Sequence, residues 1–235
     1  MKVVHNCTLI SASFNNATLT RIMLFSLFNK GIVPHIMIID NGSTDFFVPD
    51  EMERRCGITV IDNHNYKLTK NWGKGQVSKN HCHSLQYALS RVSTEWAIIC
   101  DNDILFKPSI TRFFDIIFDN SADIIGEIGY DAVKPARLFP YLCAIKMNSI
   151  RNRNIAYFDP TRCMIPGVDE CGIRCNLYDT GYSFYVDARS AGLTIKPICL
   201  DDYCVHYLHA SQTSSNVRIP LNEWINMHSN LLYAG

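Results

Sequence analysis

The chain has 235 residues, 47% of them hydrophobic, enough to bury one sizeable core. Lys plus Arg and Asp plus Glu both number 22, so the formal charge is zero, which argues against nucleic acid or an anionic membrane as the main partner and leaves a small or neutral one. No run of eighteen apolar residues occurs, and the start MKVVHNCTLI lacks the charged region and hydrophobic stretch of a signal peptide, so a cytoplasmic protein without a transmembrane segment is expected.

In chain order, residues 3–13 read as a strand. Residues 17–30 carry Leu19, Ile22, Met23 and Leu27 at helical spacing and stop at Gly31. HIMIID at 35–40 is the second strand and Asn41-Gly42-Ser43 its turn. A third strand is expected at 58–62, a polar loop at 66–75, a helix at 78–91 and a fully apolar strand at 96–100. Two further strands read at 122–128 and 141–147, separated by a turn at Lys134-Pro135. Residues 151–172 are irregular; 179–191 is a helix closed by Gly192; strands follow at 193–199 and 203–207, and a helix at 220–233. Strands alternating with helices predict an α/β fold, a mostly parallel central sheet flanked by helices in a single domain. That domain is complete in itself or one part of a longer polypeptide.

In such sheets, ligands bind beyond the carboxyl ends of the strands, and two strands here end there in acid. The second ends in Asp40, with Asp45 past the turn; the strand at 96–100 runs into Asp101-Asn102-Asp103. Carboxylates two residues apart in an extended chain point to one side, a hard-oxygen site suited to Mg2+ or Mn2+ that keeps open positions for phosphate oxygens. An ordinary turn after a strand is the plainer account of the triplet taken alone.

The cysteines read mainly as buried free thiols. Cys171, Cys175, Cys199 and Cys204 with His206 and His209 offer zinc ligands at loose spacings that lack a tight Cys-x2-Cys pair. His81 and His83 read as surface residues at a helix start, Trp72 and Trp224 as core or lid anchors, and Lys74 as solvated.

Read together, Phe14-Asn15-Asn16, Asp40-Asn41-Gly42-Ser43-Thr44-Asp45 and Asp101-Asn102-Asp103 resemble, in order and spacing over about the first 110 residues, the inverting GT-A glycosyltransferases of family 2. The resemblance implies a Rossmann-like GT-A domain over 1–235, with residues to about 110 binding a nucleotide-sugar donor and 111–235 facing the acceptor. It implies that Asp40 accepts a hydrogen bond from the nucleobase, favouring a UDP-sugar, that Asn15 lines the nucleoside, and that Asp101 and Asp103 serve the ribose and a Mn2+ or Mg2+ ion. His206 matches the position that supplies a third metal ligand, with His209 as competitor. The match is looser downstream. Where the family has an acidic pair before a helix, this chain has Asp179-Thr180-Gly181; Asp179 is the expected general base, Asp169 and Glu170 the alternatives, and a helix N-cap the plainer role.

The implied activity is metal-dependent transfer of a sugar to a hydroxyl of a saccharide or glycoconjugate, with inversion. A sugar-phosphate nucleotidyltransferase is a second reading, opposed by Ser13-Phe14-Asn15-Asn16 where such enzymes carry a glycine-rich basic loop. A non-catalytic carbohydrate-binding or scaffold domain is a third. Peripheral membrane association through the tail helix has no basic cluster to support it.

Overall fold

The computed structural model describes residues 2–63, 76–119, 121–131, 134–155, 158–163, 167–168, 174–175, 180–207 and 219–233. The first half follows the expected alternation: β1 (Lys2–Ser13), α1 (Ala17–Phe28), β2 (Ile32–Asp40), the short α2 (Glu51–Arg55), β3 (Ile58–Asp62), α3 (Gln76–Leu89) and β4 (Trp96–Cys100). Beyond it come β5 (Ile104–Phe106), α4 (Ile110–Asp119), β6 (Ile124–Asp131), β7 (Lys134–Lys146), α5 (Met147–Asn152), β8 (Gly167–Val168), β9 (Arg174–Cys175), α6 (Tyr182–Ser190), β10 (Ile195–Pro197), β11 (Cys204–His206), α7 (Leu221–Met227) and α8 (Ser229–Tyr233).

Seven strands form the central sheet in the order β10-β6-β7-β4-β1-β2-β3. All neighbours are parallel except β7, which runs antiparallel to both β4 and β6. Strand alternation divides the core in two. Leu9, Ile36 and Ile98 face Met23, Leu24 and Leu27 of α1 and Phe113 and Phe114 of α4; Ile10, Ile39, Ala97 and Ile99 face Leu85 and Leu89 of α3 and Phe184 and Ala188 of α6. β4 lies in mid-sheet with every side chain buried, which accounts for its uninterrupted apolar run.

Several expectations are corrected. The strands read at 122–128 and 141–147 extend towards each other as one antiparallel hairpin, and Lys134-Pro135, expected as the turn, opens β7, with Lys134 paired to Asp131. No element is expected at 110–119 or 51–55, yet α4 buries Ile110, Phe113, Phe114 and Ile117, and α2 is closed by an Asp50–Glu53 capping box. The last strand expected, near 203–207, pairs not with the main sheet but with β5 in a separate two-stranded ladder. The tail is two short helices meeting at His228, packed on α1; Lys30 Nζ donates to the Leu231 carbonyl at 3.0 Å. Trp224 is a buried anchor of that contact. No helix among the described residues is long and apolar enough to cross a membrane.

Candidate active site

The carboxyl ends of β1, β2 and β4 meet along one edge of the sheet. There Asp40 is fully buried: Oδ1 accepts hydrogen bonds from the Gly42 amide at 3.0 Å and the Ser43 amide at 2.8 Å, and Oδ2 accepts one from the Ser43 hydroxyl at 2.7 Å. Gly42 takes the positive φ of 78° that this tight turn needs. Asp40 thus braces its own loop at the position where the resemblance implies a hydrogen bond to a nucleobase.

Asn15 joins this loop to the end of β1. Its backbone is left-handed, with φ 51°, its amide donates to the Ser43 hydroxyl at 2.8 Å, and its Oδ1 accepts from the Thr44 amide at 2.8 Å and the Thr44 hydroxyl at 3.0 Å. Asn15 is itself exposed, so the stitched loops form a fixed, accessible rim. A second buried tie, from Asn63 Nδ2 and the Ser84 hydroxyl to Asn41 Oδ1, fixes the loop's inner side against α3.

After β4 the chain turns at Asn102, whose Nδ2 donates to the Thr20 hydroxyl at 3.3 Å. Asp101 and Asp103 are thus brought together by a turn and not by strand alternation, a correction to the extended geometry expected. The β5–β11 ladder then sets His206 opposite Ile104, and the Tyr207 amide donates to the Asp103 carbonyl at 2.8 Å. His206 Nε2 lies 2.9 Å from Asp103 Oδ1 and 3.7 Å from Asp101 Oδ2. One donor atom from each of the three residues falls within 4.8 Å of the others.

His81, expected at the surface, is corrected into this cluster. It lies on α3 with its Nε2 3.6 Å from Asp101 Oδ1 and its side chain 22% exposed. Since Cys100 faces the α1 side of the sheet, Asp101 falls on the α3 side, within reach of His81.

Burial would lower the His206 pKa, but hydrogen bonds and charge from Asp101 and Asp103 outweigh it and raise it to about 10. Burial likewise pushes Asp101 up, yet the His206 hydrogen bond and the charges of His81 and His206 hold it below the ordinary carboxylate range. Without a metal, then, an imidazolium sits between two carboxylates. Among the described residues its Nδ1 is buried with no hydrogen-bond partner; the ring is held instead by stacking on Tyr141, centroids 4.8 Å apart and planes 6° apart.

Two carboxylates and one imidazole at this spacing suit an Mn2+-type ion, whose preferences span oxygen and nitrogen ligands, and the two carboxylates alone would suit Mg2+. Among the described residues the group that gathers around His206 is Asp101 and Asp103, without a cysteine of the looser zinc set. Cys204 is buried with its thiol directed at the Leu200 carbonyl, Cys199 is exposed, and Cys171 and His209 lie outside the described residues. Asp179, Asp169 and Glu170 also lie outside them, as do Trp72 and Lys74. The helix expected from 179 begins at Tyr182 with Gly181 as its N-cap, so the capping role falls to a glycine.

No family model and no curated protein matches the sequence. Solved structures do match the fold. S. aureus TarS 1-349 superposes with a TM-score of 0.55 at 14% identity, over 85% of this chain and 59% of that one. The mannosyltransferase PcManGT from Pyrobaculum calidifontis, in complex with GDP-Man and Mn2+, gives 0.55 at 16% identity, over 88% and 58%. The glycosyltransferase GlyE in Streptococcus pneumoniae TIGR4 gives 0.55 at 11% identity, over 97% and 62%. The chain spans less than two thirds of each of these proteins, and what it shares with them is the GT-A fold.

Proposed function

We propose that this chain is a glycosyltransferase that moves a sugar from a nucleotide-diphosphate sugar, a UDP-sugar favoured, to a hydroxyl of a saccharide or glycoconjugate, with inversion. The observation that carries it is the convergence of Asp101, Asp103 and His206 at the carboxyl end of the central strand, beside the rim built by Asn15 and the loop 40–45. The fold shared with TarS, a form of which is solved in complex with UDP-GlcNAc, and with PcManGT in complex with GDP-Man and Mn2+ supports the same class of donor.

In this reading Asn15 lines the nucleoside and Asp40, which also braces the loop 40–45, accepts a hydrogen bond from the nucleobase. Asp101, Asp103 and His206 hold Mn2+ or Mg2+, which supplies electrostatic stabilisation of the departing diphosphate. Asp179 takes the proton of the acceptor hydroxyl as it attacks the anomeric carbon, with Asp169 and Glu170 as the alternative bases. A single displacement inverts the configuration.

The test is thermal unfolding of the wild type and of Asp103→Ala with UDP, GDP, CDP or TDP, each with and without Mn2+. A nucleotide shift that needs Mn2+ and vanishes in Asp103→Ala supports the reading. No shift with any nucleotide removes it and favours a non-catalytic domain.

A further inference from the structure

β4 ends at Cys100, paired with Leu142, but the β6–β7 hairpin continues past that point, pairing Ile128 with Leu138, Gly129 with Arg137 and Asp131 with Lys134. The hairpin therefore projects beyond the carboxyl edge of the parallel strands, in the direction where ligands bind. It flanks the Asp101–Asp103–His206 cluster on the side opposite β1 and β2, whose loops form the nucleoside rim. At its root the residues Phe139 to Leu142 stand opposite Glu127 alone, a wide bulge of the kind that re-aims side chains beside active sites.

The bulge sets out a continuous row of half-buried groups leading away from the cluster. Tyr141 stacks on His206; the Phe139 ring lies 5.2 Å from the Tyr141 ring at 38°; the Arg137 guanidinium lies 4.9 Å from the Phe139 centroid. The seat of Phe139 is made by a missing side chain. A Cβ on Gly129 would stand 2.2 Å from the Phe139 ring, so the strand gives up a side chain, at a cost in strand stability, to let the ring lie over the backbone.

We propose that Phe139 and Tyr141 form the acceptor shelf, binding a pyranose ring of the acceptor saccharide face-on, with Arg137 at its outer end. This rests on the glycosyltransferase reading above. The electron-rich ring faces attract the C–H face of a sugar, and the phenol offers a hydrogen bond to its hydroxyls. The shelf begins one ring away from the metal-binding cluster, so a sugar on it lies next to the bond to be made, with nucleoside rim and acceptor shelf on opposite flanks of β4. Nothing in this row is needed to build the core: the buried residues of β7 are Leu138, Leu142, Cys143, Ala144 and Ile145, while Phe139 and Tyr141 only rest against it.

The experiment uses the full chain with Mn2+ and excess UDP or GDP. Saturation-transfer NMR is recorded with methyl glycosides of glucose, galactose, mannose, N-acetylglucosamine and glucuronic acid. At least one glycoside should receive saturation on its ring C–H protons, and Phe139→Leu, which keeps an apolar side chain over Gly129, should weaken its affinity about three- to tenfold. Phe118→Leu, at an exposed aromatic residue on α4, should leave it unchanged. Absence of transfer from every glycoside, or transfer that survives Phe139→Leu, overturns the shelf. Failure of every nucleotide to shift the wild-type melting temperature with Mn2+ instead sinks the donor reading on which the shelf depends.

Discussion

Metal binding at Asp101, Asp103 and His206 must compete with a proton. His206 Nε2 both donates to Asp103 and is the atom a metal would need, and the surrounding carboxylates raise its pKa to about 10. At pH 7 the ring is about three units below that value, so stripping the proton costs metal binding about 4 kcal/mol, at roughly 1.36 kcal/mol per unit. The apparent Kd for Mn2+ should therefore fall about tenfold per pH unit between about pH 6 and 8.5, with about one proton released for each ion bound. Isothermal titration calorimetry in two buffers of different ionisation enthalpy counts that proton, and electron paramagnetic resonance of free Mn2+ gives the Kd. His206→Asn should flatten the pH slope, while His81→Asn, which leaves His206 between its carboxylates, should preserve it. A wild-type Kd that does not change with pH, or binding that releases no proton, would refute the assignment of His206 as a protonated ligand.

The same linkage fixes the metal-free stability. The folded pKa of His206 exceeds the unfolded value, so its contribution is complete below about pH 6.5 and is lost as pH rises towards about 10; melting in EDTA should show a declining temperature across that window, and a flat profile would count against it. Gly181→Ala should cost about 2–4 kcal/mol in urea unfolding, since φ is 86° and a Cβ would stand 2.2 Å from the Leu138 carbonyl oxygen; a loss under about 0.5 kcal/mol would mean the backbone there yields easily. Asp40→Ala should abolish nucleotide-induced stabilisation yet leave Mn2+ affinity near wild type, because the loop 40–45 loses its brace while the metal cluster lies elsewhere; equal loss of both would show that the two are not separable.

The parts of this molecule legible in its sequence are those written locally. β2 ends in Asp40 and β4 runs into Asp101 because an apolar run meets a turn, and period-2 or unbroken hydrophobic runs between Gly, Asn and Asp identify such strands. Even the elements overlooked had local signals: Ile110, Phe113, Phe114 and Ile117 follow the i, i+3, i+4, i+7 spacing of a helix, and Asp50-x-x-Glu53 is a capping box. The first part of β7 is hidden by Lys134-Pro135, which reads as a turn, although a proline can open a strand.

The site itself is written non-locally, and there the sequence is silent. His206 reaches Asp103 because a three-residue strand pairs with another about a hundred positions earlier, a register that no local pattern specifies; only the family resemblance pointed to it. His81 meets Asp101 through the phase of α3 against β4, and the orientation of Asp40 is decided by two amides three residues away at most. What these three cases share is electrostatic. Two carboxylates at the end of a buried strand repel one another, so the fold brings a cationic ring to Asp101 and Asp103, while Asp40 is satisfied by two amides and a hydroxyl of its own loop. The imidazolium of His206 thus supplies the positive charge between the two carboxylates, and under the proposed function a metal ion would enter by exchange for its proton.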